Sequence, residues 1–181
     1  MIFMVMKKIK LTESDLYRII KQVLLEQEDE KRSFTFSPGA FESIITSSSG
    51  ERFVKHLNNK YDEIIVNGDL ILYKKENLKY LPDNLRVEGS LILLDTPIQS
   101  LPDNLYVKGS LSLEGTPIQS LPDNLHVEGM LYLKRTQIQS LPNNLHVGKG
   151  VIYIYGTPLN DNDKLVAKYE EKYTIIRRNT L

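Results

Sequence analysis

Between residues 81 and 140 the hydrophobic and polar positions recur in a fixed order. Residues 81–100 read L-P-D-N-L-R-V-E-G-S-L-I-L-L-D-T-P-I-Q-S, and the frame returns over 101–120 and 121–140, a period of twenty residues. Within one copy Leu85, Val87, Leu91 and Leu93 alternate, the period of two that sends successive side chains to opposite faces of a strand. Gly89 interrupts that run and marks a bend or a close approach of two backbones. The other half of the copy has no helical spacing. Ile98, Leu101 and Leu105 are separated by Pro102 and Asp103-Asn104, which favour extended or turn backbone. A unit this short cannot bury its apolar face alone, so stability comes from stacking copies. The pattern predicts an α+β repeat, a solenoid with a parallel sheet, an extended return side and short helical caps.

Aligning the flanks extends the array. Val66-x-Gly68-x-Leu70-x-Leu72 matches Val87-x-Gly89-x-Leu91-x-Leu93, and Val151-Ile152-Tyr153-Ile154 followed by Thr157-Pro158-Leu159 matches the copy that ends in Thr136-Gln137-Ile138. Residues 66–159 are therefore read as five coils. Residues 34–65 are read as a helical N-terminal cap, in which Ser37-Pro38 opens one short helix and Phe53, Val54 and Leu57 line a second. Residues 160–181 are read as a C-terminal cap of one helix and an edge strand. Caps are required because the last apolar layer of a stack would otherwise meet water.

Residues 1–33 are patterned differently. Thr12 and Asp15 have capping-box spacing, and Leu16, Ile19, Ile20, Val23 and Leu24 fall at i, i+3, i+4, i+7 and i+8, one apolar stripe of a helix over residues 11–26. Gln27-Glu28-Asp29-Glu30-Lys31-Arg32-Ser33 lacks apolar anchors and reads as a linker. Such a helix needs a groove. It either packs on the chain's own repeats, self-associates or docks elsewhere. Met6-Lys7-Lys8 offers a second start beside Met1.

The frame L-x-L-x-x-T-x-I resembles the leucine-rich repeat, and its twenty-residue length with the L-P-x-N-L opening is similar to the short repeats of bacterial and phage proteins. Thr96, Thr116, Thr136 and Thr157 stand where that family usually has asparagine, whose buried ladder bonds neighbouring backbones. Residues 6–26 resemble a peptide found at the N-terminus of tailed-bacteriophage proteins. That resemblance implies a targeting helix (Leu16, Ile19, Ile20, Val23, Leu24) which directs the protein into the phage head. It also implies cleavage after the L-x-E motif formed by Leu24 and Glu26. The implied location is the virion, or else the bacterial host cytoplasm if the protein is an effector-like or inhibitory module acting on a host protein.

Composition narrows the function classes. Lysine plus arginine equals aspartate plus glutamate at 23 each, so no bulk field draws the chain of 181 residues to nucleic acid or an anionic membrane. There is no cysteine, which removes disulfides, thiolate zinc sites and cysteine nucleophiles together. The apolar opening Met1–Met6 is too short for a signal-peptide core. No phosphate-cradling loop or nucleophile elbow is present, and the chain is read as a non-enzymatic binder of a viral or host protein, without cofactors.

Leucine-rich repeats bind through outward positions of their strands. Here that criterion selects Tyr132, Tyr153, Tyr155, Lys134, Arg135, Ile92 and Tyr73, in which tyrosine and arginine are the types enriched at interface hot spots. The competing reading is aromatic packing that merely stabilises the sheet. His126 and His146 share a phase with Tyr106 and Arg86. With no carboxylate at a matching phase, they are read as a surface ladder and no metal is expected.

Overall fold

The computed structural model describes residues 32–177. The expected targeting helix with Leu16, Ile19, Ile20, Val23 and Leu24, and the expected cleavage motif at Leu24 and Glu26, lie outside those residues. Within them the fold is α/β, with two parallel six-stranded sheets and three α-helices. The first sheet runs β1 (Ser33–Phe36), β2 (Glu63–Val66), β4 (Leu85–Val87), β6 (Tyr106–Val107), β8 (His126–Val127) and β10 (His146–Val147). The second runs β3 (Leu70–Ile71), β5 (Leu91–Ile92), β7 (Leu111–Ser112), β9 (Leu131–Tyr132), β11 (Val151–Tyr153) and β12 (Thr174–Ile176).

The alternation from Leu85 to Leu93 is therefore two strands and not one. β4 and β5 belong to different sheets, so two sheets stand where a single one is expected, while Thr96 to Pro102, on the expected extended return side, forms neither strand nor helix. The glycine between the strands explains the break. A Cβ on Gly89 would lie 2.5 Å from the Asp69 backbone nitrogen, one on Gly109 2.6 Å from that of Ser90, and one on Gly129 2.6 Å from the Gly109 carbonyl carbon. Bend and close approach coincide there, and the column is bonded through its own backbone, Gly109 N–H to Gly89 O at 2.8 Å and Gly129 N–H to Gly109 O at 2.9 Å.

The core repeats with the sequence. Leu85, Val87, Leu91, Leu93 and Ile98 are all fully buried, as are their counterparts Leu105, Val107, Leu111, Leu113 and Ile118 one copy on. Each such side chain is worth about 1.5–3 kcal/mol relative to exposure. Parallel register stacks like on like, with Leu91 against Leu111 and Leu111 against Leu131. After β3, β5, β7, β9 and β11 the chain turns through a left-handed residue, with φ of 52° at Lys74, 54° at Asp95, 73° at Gly115, 57° at Arg135 and 72° at Gly156. In the last four of these turns the buried threonine that follows closes the turn inside its own unit. Thr96, Thr116, Thr136 and Thr157 donate from Oγ1 to the carbonyl three residues back at 2.7–2.8 Å. Side-chain bonds between neighbouring units come from another column. Asp69 Oδ1 accepts from Ser90 N–H at 2.6 Å, Ser90 Oγ from Ser110 N–H at 3.2 Å, and Ser110 Oγ from Met130 N–H at 3.1 Å.

The segment before the repeats is not purely helical. β1 starts at Ser33, the last residue of the expected linker, and pairs in parallel with β2. α1 (Pro38–Ile45) and α2 (Gly50–Lys60) connect the two strands. Ser37 Oγ accepts from Ala40 N–H at 3.4 Å ahead of the first-turn Pro38, the N-terminal arrangement written in the sequence. Phe36 gathers Phe41 and Phe53, ring centroids 5.4 and 6.4 Å away, into one aromatic core.

At the other end α3 (Asp163–Glu170) precedes β12, and Asn162 Oδ1 accepts from Leu165 N–H at 3.2 Å to cap the helix. β12 pairs with β11 and so ends the second sheet. The first sheet ends on β10. Beside it, the Leu145 carbonyl accepts from the Tyr173 hydroxyl at 2.6 Å and Lys172 Nζ at 3.1 Å, so side chains satisfy backbone that no further strand pairs.

Candidate protein-binding face

Every second residue of the second sheet points away from the core. Its outward column, in register, is Ile71, Ile92, Ser112, Tyr132, Tyr153 and Ile176. Two residues further along lies a second column of Tyr73, Leu94, Glu114, Lys134 and Tyr155, tied by bonds such as Gly115 N–H to Lys134 O at 3.0 Å and Arg135 N–H to Tyr155 O at 2.9 Å.

The seven candidate residues divide between the two ends of this face. Tyr132, Tyr153, Lys134, Arg135 and Tyr155 gather on β9, β11 and the turns that follow them. The Tyr132 and Tyr153 rings stack with centroids 4.6 Å apart and planes within 9°. Lys134 Nζ lies 5.3 Å from the Tyr153 centroid, a cation over an aromatic face. Arg135 reaches back to Glu114 at 3.3 Å and Asp95 at 3.9 Å. The Tyr132 hydroxyl donates to Met130 Sδ at 3.3 Å, and burial, reinforced by Tyr153, pushes its phenol above the ordinary tyrosine range. Both phenols are half-buried by the stack, whereas Tyr155 projects. Ile92 and Tyr73 stand apart from this group, because Ser112 and Glu114 occupy the intervening positions. Tyr73 is exposed beside Ile71, and Ile92 is half-buried.

The first sheet carries a different outward column, Ile65, Arg86, Tyr106, His126 and His146. It is a continuous stack. The Arg86 guanidinium lies 4.0 Å from the Tyr106 centroid, Tyr106 and His126 are 4.9 Å apart, and His126 and His146 are 4.0 Å apart at 16°. Acidic residues flank it two positions on. Glu88 pairs with Arg86 and with Lys108 at 3.2 Å, and the hydrogen bonds from these two hold its carboxyl below the ordinary value of 4.5. Glu128 Oε1 lies 2.7 Å from His126 Nε2, a hydrogen bond that lowers the Glu128 carboxyl in the same way, and Glu128 Oε2 lies 3.9 Å from His146 Nε2.

This corrects the sequence reading of the histidines. A carboxylate does stand beside them. The twenty-residue phase does not reveal it, because Glu128 reaches the pair from i+2 of His126, the other spacing that shares a face.

Comparison with family models, with curated proteins and with solved structures finds no match to this chain.

Proposed function

We propose that the chain is a leucine-rich-repeat-like solenoid that binds a protein through the outward face of its second sheet. One observation carries the reading. The exposed large hydrophobic residues among those described are Ile71, Tyr73, Tyr80 and Tyr155, and all but Tyr80 stand on the outward columns of this one sheet. Exposed apolar side chains scattered singly need no explanation, but Ile71 and Tyr73 adjoin at one end of this face, and Tyr155 stands beside the tyrosine stack at the other. The adjoining tyrosine stack, with Arg135 at its margin, adds rigid aromatic area and a guanidinium, the residue types enriched at interface hot spots.

We further propose that the protein is a component of a tailed bacteriophage, carried into the head by residues 6–26. Support for this comes from the resemblance of that peptide and from its L-x-E ending at Glu26. The alternative is an effector-like module that acts in the host cytoplasm and never enters a particle.

Two experiments test these readings separately. Serine at both Tyr132 and Tyr153 is expected to abolish capture of the partner from infected-cell lysate while leaving the thermal melt in place, and unchanged capture rejects the face. Mass spectrometry of purified particles is expected to find the chain with a mature N-terminus at Gln27. Its absence from particles rejects packaging and favours the host-directed alternative.

A further inference from the structure

We propose that His126, Glu128 and His146 form a binding site for a divalent transition-metal ion of the zinc class. The backbone builds this group without a dedicated loop. β8 and β10 pair in parallel with His126 opposite His146, which sets the two histidines one strand spacing apart, about 4.8 Å. Their stacked rings present both Nε2 atoms to the same carboxylate. Glu128 follows His126 by two residues and so emerges on the same side of the sheet.

The spacing suits a small ion. Nitrogen and carboxylate oxygen ligands sit about 2.0–2.2 Å from zinc, so in a tetrahedral site they lie roughly 3.3–3.6 Å from one another. The two histidine-to-carboxylate separations, 2.7 and 3.9 Å, bracket that range, and one ligand atom from each of the three side chains lies within 4.8 Å of the others. Closing on an ion therefore needs only a small side-chain adjustment. Two imidazoles and a carboxylate form a donor set that suits zinc, nickel or copper better than calcium or magnesium, with water completing the coordination.

A unit two copies earlier supplies a contrast. Glu88, at the same phase as Glu128, is flanked by the permanent cations Arg86 and Lys108. In the later unit imidazoles replace the guanidinium and the phenol of the stack, and Gly148 follows Glu128 in its column. A Cβ at Gly148 would lie 2.9 Å from Glu128 Oε2 and 2.5 Å from the Glu128 carbonyl oxygen. Glycine thus leaves room for the carboxylate to lie toward His146. Tyr106 stacked on His126 holds the first imidazole ring in plane. All three ligand side chains are solvent-accessible, with 36–49% exposure, so an ion can reach them directly.

The test uses the untagged full-length chain and zinc chloride alone, followed by isothermal titration calorimetry. Wild type is expected to bind one zinc per chain, and to melt at a higher temperature when zinc is present, because the unfolded chain lacks the site. Glu128→Gln, which keeps the side-chain shape, is expected to weaken binding at least about tenfold. His126→Gln with His146→Gln is expected to abolish it. The chain contains three histidines, and His56→Gln on α2 is the control that should bind as wild type does. The absence of saturable binding in wild type overturns the proposal, as does equal binding by the Glu128→Gln chain or by a folded double-histidine variant.

Discussion

At the scale of single residues, the buried threonines close turns within their own units and leave side-chain bonds between units to Asp69, Ser90 and Ser110. The Thr116 hydroxyl donates to the Leu113 carbonyl at 2.7 Å, alongside the Thr116 N–H at 3.1 Å, and so tightens a turn within one unit. Thr116→Val keeps the shape and removes one neutral hydrogen bond, so it is expected to lower stability by about 1 kcal/mol in urea denaturation. Glu88 behaves differently because its partners are charged. Its carboxyl is held below the ordinary value by Arg86 and Lys108, so its contribution is present above the unfolded-state value and fades as pH falls through the folded-state one. Glu88→Gln is expected to unfold more readily than wild type at pH 7, with the two melts converging once the pH is below that of both ionisations. What the sequence made legible at this scale was phase. Phase placed Tyr132 beside Tyr153 and His126 beside His146, whereas Glu128 meets both imidazoles from i+2 of His126, a spacing the twenty-residue phase does not carry.

Among the elements, the glycine column decides the architecture. Gly129 has no strained φ, yet a Cβ there would lie 2.6 Å from the Gly109 carbonyl carbon and oxygen and from Ser110 N, all of them backbone atoms. Gly129→Ala must push two units apart and is expected to cost about 1–3 kcal/mol. Gly39→Ala is the contrast. It lies in α1 with nothing within 4 Å of a new Cβ, and is expected to be neutral or to gain up to about 1 kcal/mol, so melting both variants separates close approach from helix propensity. The break between β4 and β5 was written in the sequence as Gly89, but alternation on both sides of it has the same parity. Parity alone does not reveal that the chain has turned into a second sheet. β1 was invisible for another reason. Its four residues, Ser-Phe-Thr-Phe, carry too short an alternation to stand out beside a charged linker, and they become a strand because β2 offers them an edge.

For the whole molecule, repetition divides the surface into columns. Inward columns are aliphatic in every unit, glycine and threonine columns serve contact and turning, and variation is concentrated in the outward columns of the two sheets. That division was legible from the twenty-residue period, because positions that must pack repeat and positions that meet solvent need not. Both outward columns carry tyrosine; the sequence reading chose the one with Tyr132 and Tyr153, and the two columns differ in what each tyrosine touches. Tyr106 is held between Arg86 and His126, whereas Tyr132 and Tyr153 stack on each other beside the projecting Tyr155. The most direct measurement is therefore the affinity for the captured partner of two variants in parallel, Tyr132→Ser with Tyr153→Ser on the second sheet and Tyr106→Ser on the first. The second-sheet variant is expected to lose at least about tenfold, the effect of removing hot-spot area worth 1.4 kcal/mol or more, and the first-sheet variant to bind as wild type does. Wild-type affinity in the second-sheet variant, or a loss confined to Tyr106→Ser, would contradict the assignment of the binding face.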